Sequence, residues 1–203
     1  MKLKNHIKLD KNLLIFLIVL LIVGIISGSL FVTLLSSSDK TLVTDYLNSF
    51  LDKLSNHQLD YLYVFKNSII SNIILVISIW LLGISVIGLP VMLALYFYKA
   101  FILGFSVGSI IANYHIKGII FGLVYAIGQA ILIFGLIILL IYAMSFSFKI
   151  INCILKKKPL DFRLIINKYA FILGIIVIIT LIGCVYDSYL MPIISSSLVN
   201  IIR

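Results

Sequence analysis

IISNIILVISIWLLGISVIGLPVMLALYFYKAFILGFSVGSIIANY, residues 69–114, decides the fold of this chain. It is a nearly unbroken apolar block with a single charge, Lys99, and one break, Gly88-Leu89-Pro90. One membrane crossing takes about 20 apolar residues. The block therefore holds two crossings with almost no loop between them, a tight hairpin pivoting on Gly88, Leu89 and Pro90.

The rest of the chain repeats this character. Hydrophobic residues make up 63% of the 203 and charged residues 11%, with a mean hydropathy of +1.24. A water-soluble domain of this size could not hide so much apolar surface. The sequence predicts an all-α, polytopic membrane protein forming one membrane domain. A window of about 19 residues places five transmembrane helices near residues 13–35, 69–87, 91–112, 119–148 and 169–186. The first reads as a retained span. Its apolar core exceeds the signal-peptide h-region of about 7–15 residues, and no clean small-x-small cleavage site follows before Ser36-Ser37-Ser38. The fourth is long for one crossing and is expected to tilt or to project past the membrane.

Orientation follows from the lysines. Lys2, Lys4, Lys8 and Lys11 precede the first span, and the loop 149–168 carries Lys149, Lys156, Lys157, Lys158, Arg163 and Lys168. Five spans put both regions on one side, and the positive-inside rule makes that side cytoplasmic. The segment 38–66 sets Lys40, Lys53 and Lys66 against Asp39, Asp45, Asp52 and Asp60, so it is expected outside, as is the C-terminus. The net charge of +9 is then mainly a topology signal with an affinity for anionic lipid head groups. Nucleic-acid binding is a poor reading, because Lys156-Lys157-Lys158 has no aromatic platform around it. Cys153 and Cys184 fall at opposite membrane faces, where they cannot pair.

Within the outer segment Leu42, Val43, Tyr46, Leu47, Phe50, Leu51 and Leu54 recur at helical spacing. This is an amphipathic helix, capped by Asp39 or Thr41. Its other face carries Asp45, Asn48, Asp52, Lys53 and Asn56. The helix either lies on the outer leaflet or covers the bundle, or it offers this face as a docking surface for an extracytoplasmic partner.

Chemistry has little to stand on. Ionisable groups inside a bundle mark functional sites, but the seven aspartates all read as lying in loops or termini. His6, His57 and His115 fall outside the spans or at their edges. Ser85 lacks a histidine to activate it, and His57 with Asp60 is too small a set for zinc. No catalytic, cofactor or metal site is expected. Asn72 and Gln129 are expected to bond to neighbouring helices, worth about 0.6 kcal/mol each. Lys99 is the best candidate for a buried charge, although its stem is expected to reach back toward the cytoplasmic surface. With no acidic group in any span, it argues for packing over chemistry.

Small residues carry more. Gly24 and Gly28 in the first span, and Gly104 and Gly108 in the third, share the four-residue spacing that lets helix backbones approach closely. Such contacts form within one chain or between copies in a homo-oligomer. Gly83, Gly88 and Pro90 are the matching packing and turn positions around the hairpin.

The run Gly83-Ile84-Ser85-Val86-Ile87-Gly88-Leu89-Pro90, then Lys99-Ala100 and Gly104-Phe105-Ser106-Val107-Gly108, resembles the stage II sporulation protein M family. The likeness extends to the length, the span plan, the outer helix and Ser145-Phe146-Ser147-Phe148-Lys149. It implies a mother-cell membrane protein needed for engulfment of the forespore. It further implies a membrane scaffold, not an enzyme, that holds peptidoglycan hydrolases resembling stage II sporulation proteins D and P at the septal membrane. The broader membrane family often has a Pro-His-Gly…Glu pattern in the fourth span. Here Gly128-Gln129-Ala130 stands instead, which weakens an inherited catalytic or transport role. A small transporter or permease subunit is the alternative. A neighbouring ATPase gene would favour it, and a neighbouring cell-wall hydrolase gene would favour the scaffold.

Overall fold

The computed structural model describes residues 11–56, 58–85, 87–156 and 162–202. Lys2, Lys4, His6, Lys8, His57, Lys157, Lys158 and Arg203 lie outside the described residues. Every element among the described residues is helical: α1 (Lys11–Leu34), α2 (Ser37–Ser55), α3 (Tyr61–Ile84), α4 (Gly88–Lys156) and α5 (Phe162–Val185). A π-helical turn, Tyr186–Leu190, leads without a break into α6 (Met191–Ile202). Four helical stretches are long and apolar enough to cross a membrane.

The 69 residues of α4 would extend about 100 Å as a straight helix, some three times the hydrocarbon thickness. They do not run straight. His115 has φ 51° and ψ −130°, and the chain doubles back there into two arms, residues 88–114 and 116–156. A Cβ on Gly118 would meet the Ile110 carbonyl, and one on Gly122 would touch Val107. The arms are therefore antiparallel neighbours.

The tight α3–α4 connection lies just ahead of the expected pivot. Ser85 ends α3 in an extended conformation, and α4 already begins at Gly88. The Gly88 amide donates to the Ser85 carbonyl at 3.1 Å. A side chain on Gly88 would overlap the Leu82 carbonyl, so glycine is needed for close approach, not for a special φ. Pro90 sits in the first turn of α4, where its missing N–H leaves no bond unmade.

Two apolar cores organise the bundle. The larger joins α1, α3, both arms of α4 and α5 around Leu17, Ile79, Met92, Leu139 and Ile176. Tyr96 is fully buried there and donates its hydroxyl to the Leu17 carbonyl at 3.3 Å. The smaller lies at the end holding α2 and gathers Leu51 and Leu54 with Ile110, Phe121 and Met191. Outside, residues such as Ile22, Ile74, Phe171 and Ile178 stand exposed. Apolar both inside and out is the pattern of helices solvated by lipid.

Helix α2 starts earlier than its expected caps. Ser36 is the N-cap and accepts from the Asp39 amide at 3.2 Å, leaving Asp39 and Thr41 inside the first turns. The expected apolar face divides. Leu47, Phe50, Leu51 and Leu54 pack on the bundle, while Leu42 and Tyr46 point outward. Helix α3 begins at Tyr61, so its first turns lie within the segment assigned from sequence to the outside loop.

Candidate functional site

Helix α1 runs parallel to the first arm of α4 along a seam of four glycines. A Cβ on Gly24 would press on Ala100 and the Phe97 carbonyl, and one on Gly28 would overlap the Phe101 carbonyl. Reciprocally, Gly104 lies on the Ile25 backbone and Gly108 on Ser29. Each Gly-x-x-x-Gly thus meets the other, and backbone contact replaces side-chain interdigitation. All four glycines are used within one chain.

Beside this seam lies a polar cluster drawn from four helical segments. The Lys99 ammonium donates to Asn72 Oδ1 of α3 at 3.1 Å. Asn72 in turn donates to the Ser68 carbonyl at 2.9 Å and reaches Cys184 Sγ at 3.8 Å. From the second arm of α4, Gln129 donates to Asp187 Oδ2 at 2.7 Å. Lys99 and Asp187 also interact electrostatically. Lys99 sits roughly 16 Å along its arm from Gly88, about half the hydrocarbon thickness. Its stem does not reach back to the surface; it turns inward.

Asp187 is the residue that the sequence reading misplaced. It belongs to the π-helical turn, inside an apolar helical stretch that continues to Ser197. Lys99 therefore does have an acidic neighbour within the bundle. The missed signal is Met191–Ile202, an apolar run that carries the helix on past the carboxylate. A π-helical turn displaces side chains from regular register and recurs at functional positions. Here Asp187 Oδ1 rests against Gly128 and has no hydrogen-bond partner, as is also true of the buried Ser188 hydroxyl.

A cavity of about 520 Å³ opens between α2 and α3 and ends on Asp187. Tyr46, Phe50 and Lys53 of α2 form one wall, and Tyr63, Asn67 and Ser71 of α3 form another. Helix α2 is tied down beside it. Thr44 donates to Asn113 Oδ1 at 2.6 Å, and the Tyr114 hydroxyl donates to Asn48 Oδ1 at 2.8 Å. Asp45, Asn48, Asp52, Lys53 and Asn56 are all exposed, with Asn48 shared with this tether and Lys53 with the cavity.

The opposite end of the bundle is closed by Gly83 and its neighbours. Ser147 donates to the Gly83 carbonyl at 2.7 Å, and Tyr169 donates to the Trp80 carbonyl at 2.9 Å. The Tyr169 ring lies stacked between Trp80 and Phe146, at centroid distances of 5.5 and 5.0 Å. No side chain larger than hydrogen fits at Gly83, where a Cβ would overlap the Tyr169 hydroxyl. Among the described residues, no group of three His, Cys, Asp or Glu could hold a metal ion. Cys184 is buried and Cys153 half-buried, and no disulfide joins them.

The family model for stage II sporulation protein M matches residues 17–192. That range takes in the glycine seam, the α3–α4 connection, α2 and the polar cluster. No curated protein and no solved structure gives a significant match.

Proposed function

The chain belongs to the stage II sporulation protein M family, and from that membership we propose a non-enzymatic membrane scaffold for sporulation. It recruits peptidoglycan hydrolases, resembling stage II sporulation proteins D and P, to the septal and engulfing membrane of the mother cell. On this reading the protein crosses the membrane five times, with α1, α3, the two arms of α4 and the α5–α6 stretch as the crossings. The N-terminus is cytoplasmic, and α2 lies on the extracytoplasmic side with the C-terminus. The basic flanks of α1 and α5 support that orientation.

The observation that carries the proposal is the placement of α2. Its apolar residues Leu51 and Leu54 are buried on the bundle, and its tethers fix its orientation. Asp45, Asp52 and Asn56 are thereby presented outward on a held surface. A rigid polar face loses little entropy on binding, which favours a docking role.

A pull-down from sporulating cells tests this. The intact protein should co-purify a hydrolase, and a variant with Asp45, Asp52 and Asn56 changed to Ala should lose most of it. Failure of both to retain any hydrolase would remove the proposal's main support. A reporter fusion that placed the loop after α4 outside the cell would overturn the orientation.

One observation favours the alternative, a small transporter or permease subunit. Lys99, Asn72, Gln129 and Asp187 converge at depth from different helices, as polar groups on transport pathways do. Solute flux into proteoliposomes that Asp187→Asn abolishes would select it.

A further inference from the structure

Hydrolase recruitment makes no use of the cavity between α2 and α3. Its position is unusual for a chain this apolar. Asn67 and Ser71 stand exposed on α3, a helix otherwise apolar enough to cross a membrane. Facing lipid, an amide and a hydroxyl would each be left without partners. Facing a water-accessible cavity, they remain solvated and free to bind.

The lining also specifies what fits. Lys53 and Asp60 both line the cavity, and Asp187 at its floor interacts electrostatically with Lys99. Positive and negative groups balance. A phosphate would need surplus cationic donors, and an amine would need surplus carboxylate; neither surplus exists. What remains are hydroxyls and amides, on Ser49, Gln58, Asn67, Ser68 and Ser71. Tyr46, Tyr63 and Tyr125 add ring surfaces beside them. At the floor, Asp187 keeps Oδ2 on Gln129 and Oδ1 against Gly128, so it bounds the cavity without offering an open acceptor. The volume of about 520 Å³ falls in the usual range for small-molecule sites.

We infer that this cavity binds a neutral small molecule rich in hydroxyl and amide groups, of the carbohydrate class and one or two rings in size. Ligand hydroxyls meet the polar side chains of Asn67, Ser68 and Ser71, and the tyrosine rings pack against the apolar faces of the sugar. The site goes beyond hydrolase recruitment and is independent of it, because it is read on the isolated protein.

The test uses the full-length protein in lipid nanodiscs and one sugar in three charge states. N-acetylglucosamine is neutral, glucosamine cationic and N-acetylglucosamine 6-phosphate anionic. Ligand-observed NMR and calorimetry should find saturable binding of the neutral sugar, at least tenfold tighter than either charged form. Ser71→Leu, which suits an apolar helix and fills the cavity, should weaken it tenfold or more with an unchanged melting temperature. Asn67→Leu repeats the test from a second lining position should Ser71→Leu fold poorly. Absence of saturable binding by the neutral sugar, tighter binding of a charged one, or indifference to both substitutions would overturn the inference.

Discussion

Gln129 donates to Asp187 at 2.7 Å, across 58 residues of sequence, and so ties the second arm of α4 to the π-helical turn. The adjacent residue makes the geometry possible. Gly128 leaves the space that Asp187 Oδ1 occupies, so Gly128-Gln129 forms a two-residue cradle for one carboxylate.

Gly128→Ala should therefore act through Asp187. The added methyl overlaps Oδ1 and also meets Tyr186 Cδ1 at 2.7 Å. Overpacking of this kind costs about 1–3 kcal/mol. In an Asp187→Ala background much of that penalty should disappear, since the principal clash is gone. Thermal unfolding of the four proteins in detergent closes the cycle. Strict additivity would show that Asp187 does not occupy the Gly128 face.

The cluster should also behave as a unit when its charges are removed. Lys99 and Asp187 interact electrostatically without direct contact, so removing one leaves the other less compensated. Lys99→Met and Asp187→Asn should each be destabilising. The double variant should be milder than the sum of the two. Denaturation in mixed micelles reads the coupling, and a coupling near zero would mean that Lys99 and Asp187 do not depend on each other.

Much of the bundle is legible in the sequence because apolar helices are long and glycine pairs are sparse. The hairpin at Gly88, the amphipathic α2, and the spacing of Gly24–Gly28 and Gly104–Gly108 are all visible as pattern. That the two glycine pairs face each other is not, because spacing reports what a helix offers and not which helix receives it. Asp187 was hidden for a related reason. A hydropathy window ends at a charge, whereas the chain carries its helix through that charge and matches it with Lys99 from elsewhere in the bundle. Lys99 is hidden in turn: its about two to three turns from Pro90 suggest a stem that reaches the surface, and no acid visible in any span hints at what draws it inward. The cavity is a property of how α2, held on α4 and α6, stands beside α3, and no local pattern encodes it.

The glycine seam predicts opposite responses at two glycines. Gly28→Ala drives a methyl into the Phe101 carbonyl and the Phe105 amide, neither of which can move without shifting its helix. It should cost about 1–3 kcal/mol. A Cβ on Gly174 would meet nothing within 4 Å, and Gly174→Ala should stay within about 0.5 kcal/mol of the parent. Melting temperatures of the two variants, in the same detergent, provide the comparison. Equal destabilisation would contradict the seam.

His115 supplies a stabilising substitution. Its φ of 51° with ψ of −130° is a backbone state that glycine enters freely and that other residues hold at a cost of about 1–3 kcal/mol. The side chain is exposed, so little packing is lost with it. His115→Gly should raise stability by about 1 kcal/mol, whereas β-branched His115→Val should lower it. A fall in melting temperature for the glycine variant would mean that the imidazole contributes more than the backbone strain removes.

The last prediction concerns how firmly α2 is held. Thr44 donates to Asn113 beside the α4 bend, and Tyr114 donates to Asn48 from the next position. Each such bond is worth about 0.5–1.5 kcal/mol, against a small apolar contact made by Leu51 and Leu54. Combining Thr44→Val with Tyr114→Phe should leave the main core of the bundle intact. Amide exchange within α2 should then quicken by about tenfold or more, as local opening loses its opposing bonds. Exchange in α3 and in the arms of α4 should stay at the parent rate. If α2 exchanges no faster in the double variant, its orientation is set by the apolar contacts alone. Loss of hydrolase capture in that same variant would further separate a docking face that must be held rigid from one that needs only its charges.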